Sequence, residues 1–75
     1  MIPVRGCKGM RVAVLGLGKS GLSAALALQA GRADVVAWDD SPVARAAADA
    51  QDMPLRDLSK DRAFDDVDML VVSPG

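Results

Sequence analysis

The stretch from Arg11 to Leu22, Arg-Val-Ala-Val-Leu-Gly-Leu-Gly-Lys-Ser-Gly-Leu, limits the folds open to this chain more than any other feature. A short apolar run ends in Gly-x-Gly-x-x-Gly and passes at once into an alanine-rich segment. The run Val12-Ala13-Val14-Leu15 does not alternate with polar residues, as expected of a parallel strand covered on both faces. The glycines after it predict a tight turn and the first turn of a helix. Gly16 would permit the sharp turn, and Gly18 would leave no Cβ between the backbone and a bound anion. Gly21 would let helix and strand pack closely. Such a helix start offers unpaired N–H groups and the positive end of a dipole to a phosphate or carboxylate.

The rest of the chain repeats the alternation of strand and helix. Met1 to Lys8 reads as a lead-in broken by Pro3 and Gly6, and Gly9 or Met10 opens the first strand, which ends at Leu15. The first helix is expected from Lys19 or Ser20 to Ala30. Leu22, Ala25 and Leu26 share one face, and Gly31 stands at the C′ position. Asp34 and Val35 begin a second strand that runs to Trp38. Ser41-Pro42 then supplies an N-cap hydroxyl and a proline in the first helical position. The second helix should run from Pro42 to about Gln51, with Pro54 blocking its continuation. Leu55 marks a short third strand, Ser59 to Arg62 a polar connection or helical turn, and Asp68 to Val72 a final buried strand. Strands separated by helices of this length imply right-handed βαβ units in an open parallel sheet. The expected strand order is 3-2-1-4, with a crevice beside strand 1. The chain stops just after a strand, where a covering helix should follow, so it reads as a fragment of something larger.

Composition removes several classes of function. Half of the 75 residues are hydrophobic, which places the chain among globular domains, and a domain this small buries only about 60–65% of its unfolded surface. The net charge is −1 with scattered Lys and Arg, so there is no nucleic-acid footprint. No apolar run is long enough to span a bilayer, and the N-terminus lacks a secretory apolar region. The single cysteine, Cys7, has no internal disulfide partner and fits a reducing compartment. Without any histidine it reads as a packing or surface thiol, and the usual zinc sites are excluded.

In an open parallel sheet the strands finish on one edge, and ligands bind there. Three turns should meet at that edge: Gly16 to Gly21, Asp39 to Ser41, and Ser73-Pro74-Gly75. The first would supply backbone donors for a diphosphate, with Lys19 nearby to neutralise charge. Asp39 would supply an acceptor for ribose hydroxyls or a base N–H, and the last a rigid turn with one hydroxyl. Each also has a plainer reading. The glycines would serve strand–helix packing alone, Asp39 and Asp40 would be a solvated helix start, and Ser73-Pro74-Gly75 an ordinary β-turn. Trp38, inside its strand, reads as core rather than as a stacking platform. Gly18-Lys19-Ser20 is like the end of an ATP-binding P-loop, but Ala13 stands in mid-strand where that loop needs a glycine.

Taken together, Val12 to Gly21, Val36-Ala37-Trp38-Asp39-Asp40-Ser41 and Leu70-Val71-Val72-Ser73-Pro74-Gly75 resemble the N-terminal domain of the Mur ligases. The likeness is closest to those that add D-glutamate, and it extends over nearly the whole chain from Gly9. It implies an α/β, Rossmann-like open parallel sheet with helices on both faces, an incomplete N-terminal domain across 1–75. That domain would bind the uridine diphosphate of UDP-N-acetylmuramoyl-L-alanine. By position, Leu17, Gly18, Lys19 and Ser20 would lie against the diphosphate and uridine through their amides. Asp39 and Asp40 would face the uracil, and Ser73, Pro74 and Gly75 would line the cleft. The sequence departs from the family where Asp40 and Ser41 replace the common Thr or Arg, and where Asp52 replaces a helix-ending glycine. The resemblance further implies a cytoplasmic enzyme of peptidoglycan synthesis that uses ATP and Mg²⁺ to activate a carboxylate as an acyl phosphate and join it to D-glutamate. The ATP, metal and D-glutamate sites would belong to later domains, so no catalytic or metal residue is expected here. The competing reading is a nicotinamide-dinucleotide domain, since Asp39 also suits an adenosine ribose by spacing. A third is a fragment that binds nothing because its crevice is incomplete.

Overall fold

The computed structural model describes residues 6–73. Three parallel strands and two helices follow in the order β1 (Arg11–Leu15), α1 (Lys19–Ala30), β2 (Asp34–Trp38), α2 (Pro42–Asp49) and β3 (Met69–Val72). The sheet order is β2-β1-β3, with Val12 beside Val35 on one side and Met69 on the other. Beyond β2, Leu55 makes a single parallel bridge to Ala37, so the third strand of the expected 3-2-1-4 order is reduced to one residue. The Ala37 amide donates to the Pro54 carbonyl at 3.0 Å, and the Arg56 amide to the Ala37 carbonyl at 3.1 Å. The fold is the expected Rossmann-like α/β arrangement.

The strand β1 is central because it carries nothing polar to hydrate: Val12, Ala13 and Val14 are fully buried. Val12 and Val14 pack with Val35 and Ala37 against Ala25 and Leu28 of α1 and Ala48 of α2. Ala13 and Val36 face the other way, against Leu58 and Ala63. Both helices therefore cover one face of the sheet. The second face, expected to carry a helix, is covered in the described residues by the turn-rich segment 57–67. Charge ties that segment to the sheet, since Asp66 pairs with both Arg11 and Arg56 at 2.5–2.6 Å.

Two local expectations need correction. The final strand is not buried on both sides: Leu70 is 47% and Val72 60% exposed, while Met69 and Val71 pack toward the helices. Leu70 and Val72 share the second face with Ala13 and Leu15, where the cover from segment 57–67 does not reach them. Nor does Gly31 hold the C′ position of α1. It is the C-cap, with φ −83°, and Arg32 takes the left-handed conformation at φ 68°. The Arg32 amide donates to the Gln29 carbonyl and that of Ala33 to Leu28, closing the helix in a Schellman arrangement. The second helix ends in the same way one residue type further from ideal. Asp52, at φ 58°, takes the left-handed position after it, and Met53 is buried behind it.

Candidate functional site

The C-terminal ends of the three strands meet at one rim. The Gly16 amide donates to the Trp38 carbonyl at 2.8 Å, which joins the turn after β1 to the end of β2. The Ser73 amide donates to the Leu15 carbonyl at 2.9 Å, which joins the same turn to the end of β3. Two glycines make this convergence possible. Gly16 has φ +97°, and a Cβ there would lie 2.6 Å from the Ser73 carbonyl oxygen. A Cβ on Gly21 would lie 1.8 Å from the Gly16 carbonyl oxygen. Helix α1 thus approaches the turn closely only because position 21 has no side chain.

Between these ends lies an open cleft of about 190 Å³ lined by Leu15, Gly16, Asp39, Asp40, Val72 and Ser73. Of the residues expected at the site, Gly16, Asp39, Asp40 and Ser73 line this cleft together, and Gly21 sits directly behind Gly16. Lys19 and Ser20 are exposed at the start of α1. Leu17 turns its side chain into the core, leaving only its backbone at the rim. Pro74 and Gly75 lie outside the described residues.

Two kinds of backbone donor are present in the glycine turn. The Leu17 amide is engaged, donating to Asp39 Oδ2 at 2.7 Å. The amides of Lys19, Ser20 and Gly21 have no protein acceptor among the described residues, and no side chain caps α1. An uncapped helix start is the electropositive arrangement that suits an anion. Gly18, the N-cap, has φ −62° and ψ −178°, angles that any residue can adopt. Its lack of a side chain is therefore not demanded by its own backbone.

Asp39 does more than line the cleft. Its Oδ1 accepts from the Ser41 amide at 2.7 Å, so both carboxylate oxygens receive an N–H. These bonds, from Leu17 first and Ser41 second, hold its pKa below the usual carboxylate value, with the Arg45 charge adding to the effect. Ser41 caps α2 as its sequence predicts, its hydroxyl accepting from the Ala44 amide at 3.3 Å. Arg45 is the residue that sequence reasoning missed. Its Nη1 donates to the Asp39 carbonyl at 2.7 Å, and its guanidinium lies 4.5 Å from the Trp38 ring centroid. One signal was available: a cation near a helix N-terminus opposes the dipole and needs a local partner. Trp38 is accordingly half core and half platform, though the group it stacks is Arg45.

The first curated relatives of the chain bear one name. It is 61% identical over its full length to UDP-N-acetylmuramoylalanine–D-glutamate ligase of Cereibacter sphaeroides strain ATCC 17025, covering 16% of that protein. The ligase of the same name from Ruegeria pomeroyi is 55% identical, and that from Caulobacter sp. strain K31 is 49% identical, each over the whole chain and 16% of the relative. Over its whole length the chain is similar to relatives named as MurD ligases. It corresponds to the N-terminal part of a MurD ligase and spans 16% of the length of these relatives. No protein-family profile matches the chain, and no solved structure matches it.

The described residues do not fit the ATP and Mg²⁺ that the resemblance implies. Ala13 is fully buried in mid-strand where a P-loop needs its first glycine. Among the described residues no group of His, Cys, Asp or Glu side chains is placed to hold a metal ion. No helix of the described residues is long and apolar enough to cross a membrane.

Proposed function

We propose that this segment holds the uridine diphosphate end of UDP-N-acetylmuramoyl-L-alanine for a cytoplasmic, ATP-dependent ligase that adds D-glutamate in peptidoglycan synthesis. The observation that carries this reading is the uncapped start of α1 beside a cleft that the ends of all three strands enclose. The relatives' shared name supports the choice of nucleotide substrate. In this reading the amides of Gly18, Lys19, Ser20 and Gly21 take the diphosphate, and the Lys19 ammonium adds charge from outside. Asp39 and Asp40 stand at the uracil end, and Ser73 closes the opposite wall. The described cleft is smaller than the roughly 300–1,000 Å³ of a typical ligand pocket, so it would hold part of a nucleotide sugar and leave the rest outside.

The segment's part in the reaction is binding and orientation. Anchoring the nucleotide fixes the far end of the substrate, so that its lactoyl-alanine carboxylate is presented to groups elsewhere in the ligase. Calorimetric titration with UDP-N-acetylmuramoyl-L-alanine and with NAD tests the assignment. Saturable binding of the uridine compound supports it. Saturable NAD binding with no response to the uridine compound overturns it in favour of a dinucleotide domain.

A further inference from the structure

We propose that Arg45 is a positioning residue of the nucleotide site, acting through Asp39 on the glycine turn; this rests on the uridine-diphosphate reading above. Its guanidinium contacts two successive residues where β2 gives way to turn: the ring of Trp38, at 4.5 Å from the centroid, and the carbonyl of Asp39, at 2.7 Å. From that fixed backbone the Asp39 carboxylate crosses to the Leu17 amide at 2.7 Å and folds back on the Ser41 amide at 2.7 Å. The contacts form a series from α2, through the end of β2, to the turn after β1. Leu17 directly precedes Gly18, so the series ends one residue before the first of the amides proposed to take phosphate.

Arginine suits this place for a physical reason. A planar guanidinium can stack on an aromatic face and donate in its own plane at the same time, which a lysine ammonium cannot. Among the described residues Arg45 forms no salt bridge with a carboxylate. It also stands near the positive end of the α2 dipole, an unfavourable place for a cation. Its position is therefore fixed by the ring and the carbonyl. Phosphate oxygens need N–H groups aimed in set directions, so a brace that fixes the turn acts on affinity without touching the ligand.

The test compares the wild-type chain with Arg45→Met, Arg45→Lys, Asp39→Asn and the Arg45→Met/Asp39→Asn double variant, by amide spectra and by titration with UDP. Methionine keeps the apolar stem against Trp38 and removes the donors. In Arg45→Met the Leu17 amide proton is expected to move upfield as its bond to the carboxylate loosens. UDP should bind about five- to tenfold more weakly. The double variant should bind about as well as Asp39→Asn alone, because groups acting in series are not additive. Arg45→Lys should fall between wild type and Arg45→Met, and it carries the comparison if the methionine variant loses its native spectrum. A Leu17 amide that stays in place in a folded Arg45 variant overturns the proposal, as do fully additive losses in the double variant. A wild-type chain that ignores UDP overturns the uridine reading instead; the Leu17 shift needs no ligand and keeps the two failures apart.

Discussion

Replacing Gly21 with alanine perturbs the contact on which the convergence of the strand ends depends. A methyl built there lies 1.8 Å from the Gly16 carbonyl oxygen and 3.1 Å from the Ser73 Cβ. An ordinary carbon–oxygen contact is about 3.3 Å, so α1 or the turn must move by roughly 1.5 Å. The turn yields poorly, because the Gly16 amide is bonded to the Trp38 carbonyl at 2.8 Å and the Leu17 amide to Asp39 at 2.7 Å. Moving α1 instead lifts Ala25 and Leu28 from Val12 and Val14. Overpacking of this kind costs about 1–3 kcal/mol or more. Against it stands the helical preference of alanine over glycine, about 0.5–1 kcal/mol. The steric term wins, and a net loss of about 1–2 kcal/mol is expected. For a domain whose stability is of order 0.05–0.15 kcal/mol per residue, that is a large share of the total. Urea unfolding followed at Trp38, the chain's one tryptophan, reads the loss as a lower midpoint. Ser23→Ala, exposed on the same helix, should stay within about 0.5 kcal/mol of wild type. A Gly21→Ala midpoint at or above wild type would refute the close approach.

Other outcomes follow from single residues. Asp39→Asn should cost about 1–2 kcal/mol at neutral pH, since one charge-assisted bond is lost and only one acceptor oxygen remains. The folded-state pKa of Asp39 lies below its unfolded value, so its contribution is fully present above the unfolded pKa and is lost as pH falls through the folded one. The stability gap between wild type and Asp39→Asn should therefore be flat near neutrality and narrow in acid, and unfolding curves showing a gap that widens in acid would contradict this. Gly18→Val should keep the fold at a cost of about 1 kcal/mol, because φ −62° admits a branched residue although valine is a poor N-cap, while weakening UDP-substrate binding about tenfold or more. Unchanged affinity would remove the turn from the site. Arg32→Gly should stabilise the chain by about 0.5–1 kcal/mol by relieving the left-handed backbone at φ 68°, as read by thermal unfolding.

The parts of the fold that were legible in the sequence are those set by local patterns. Val12 to Leu15 had no polar residue to turn outward, so a central strand followed. Ser41-Pro42 carried its own capping chemistry, and Gly16 and Gly21 set the turn that lets α1 meet β1. Less legible were features decided by what packs from a distance. Leu70 and Val72 read as buried because they are apolar, but no cover reaches their face in the described residues. Arg32 rather than Gly31 became left-handed because the last turn of α1 closed one residue later than the glycine suggested. At the site, spacing put Asp39 at the rim but gave no sign that its two oxygens face inward to backbone amides. Arg45 escaped notice because its partners, a ring and a carbonyl, leave no periodic trace.

Residue-resolved amide spectra of the chain during titration with UDP-N-acetylmuramoyl-L-alanine test most directly whether the turn after β1 grips a nucleotide diphosphate. The account predicts saturating shifts concentrated at Gly18, Lys19, Ser20 and Gly21, with smaller ones at Asp39, Asp40 and Ser73. Saturating shifts that bypass the glycine turn and cluster on another face would contradict it.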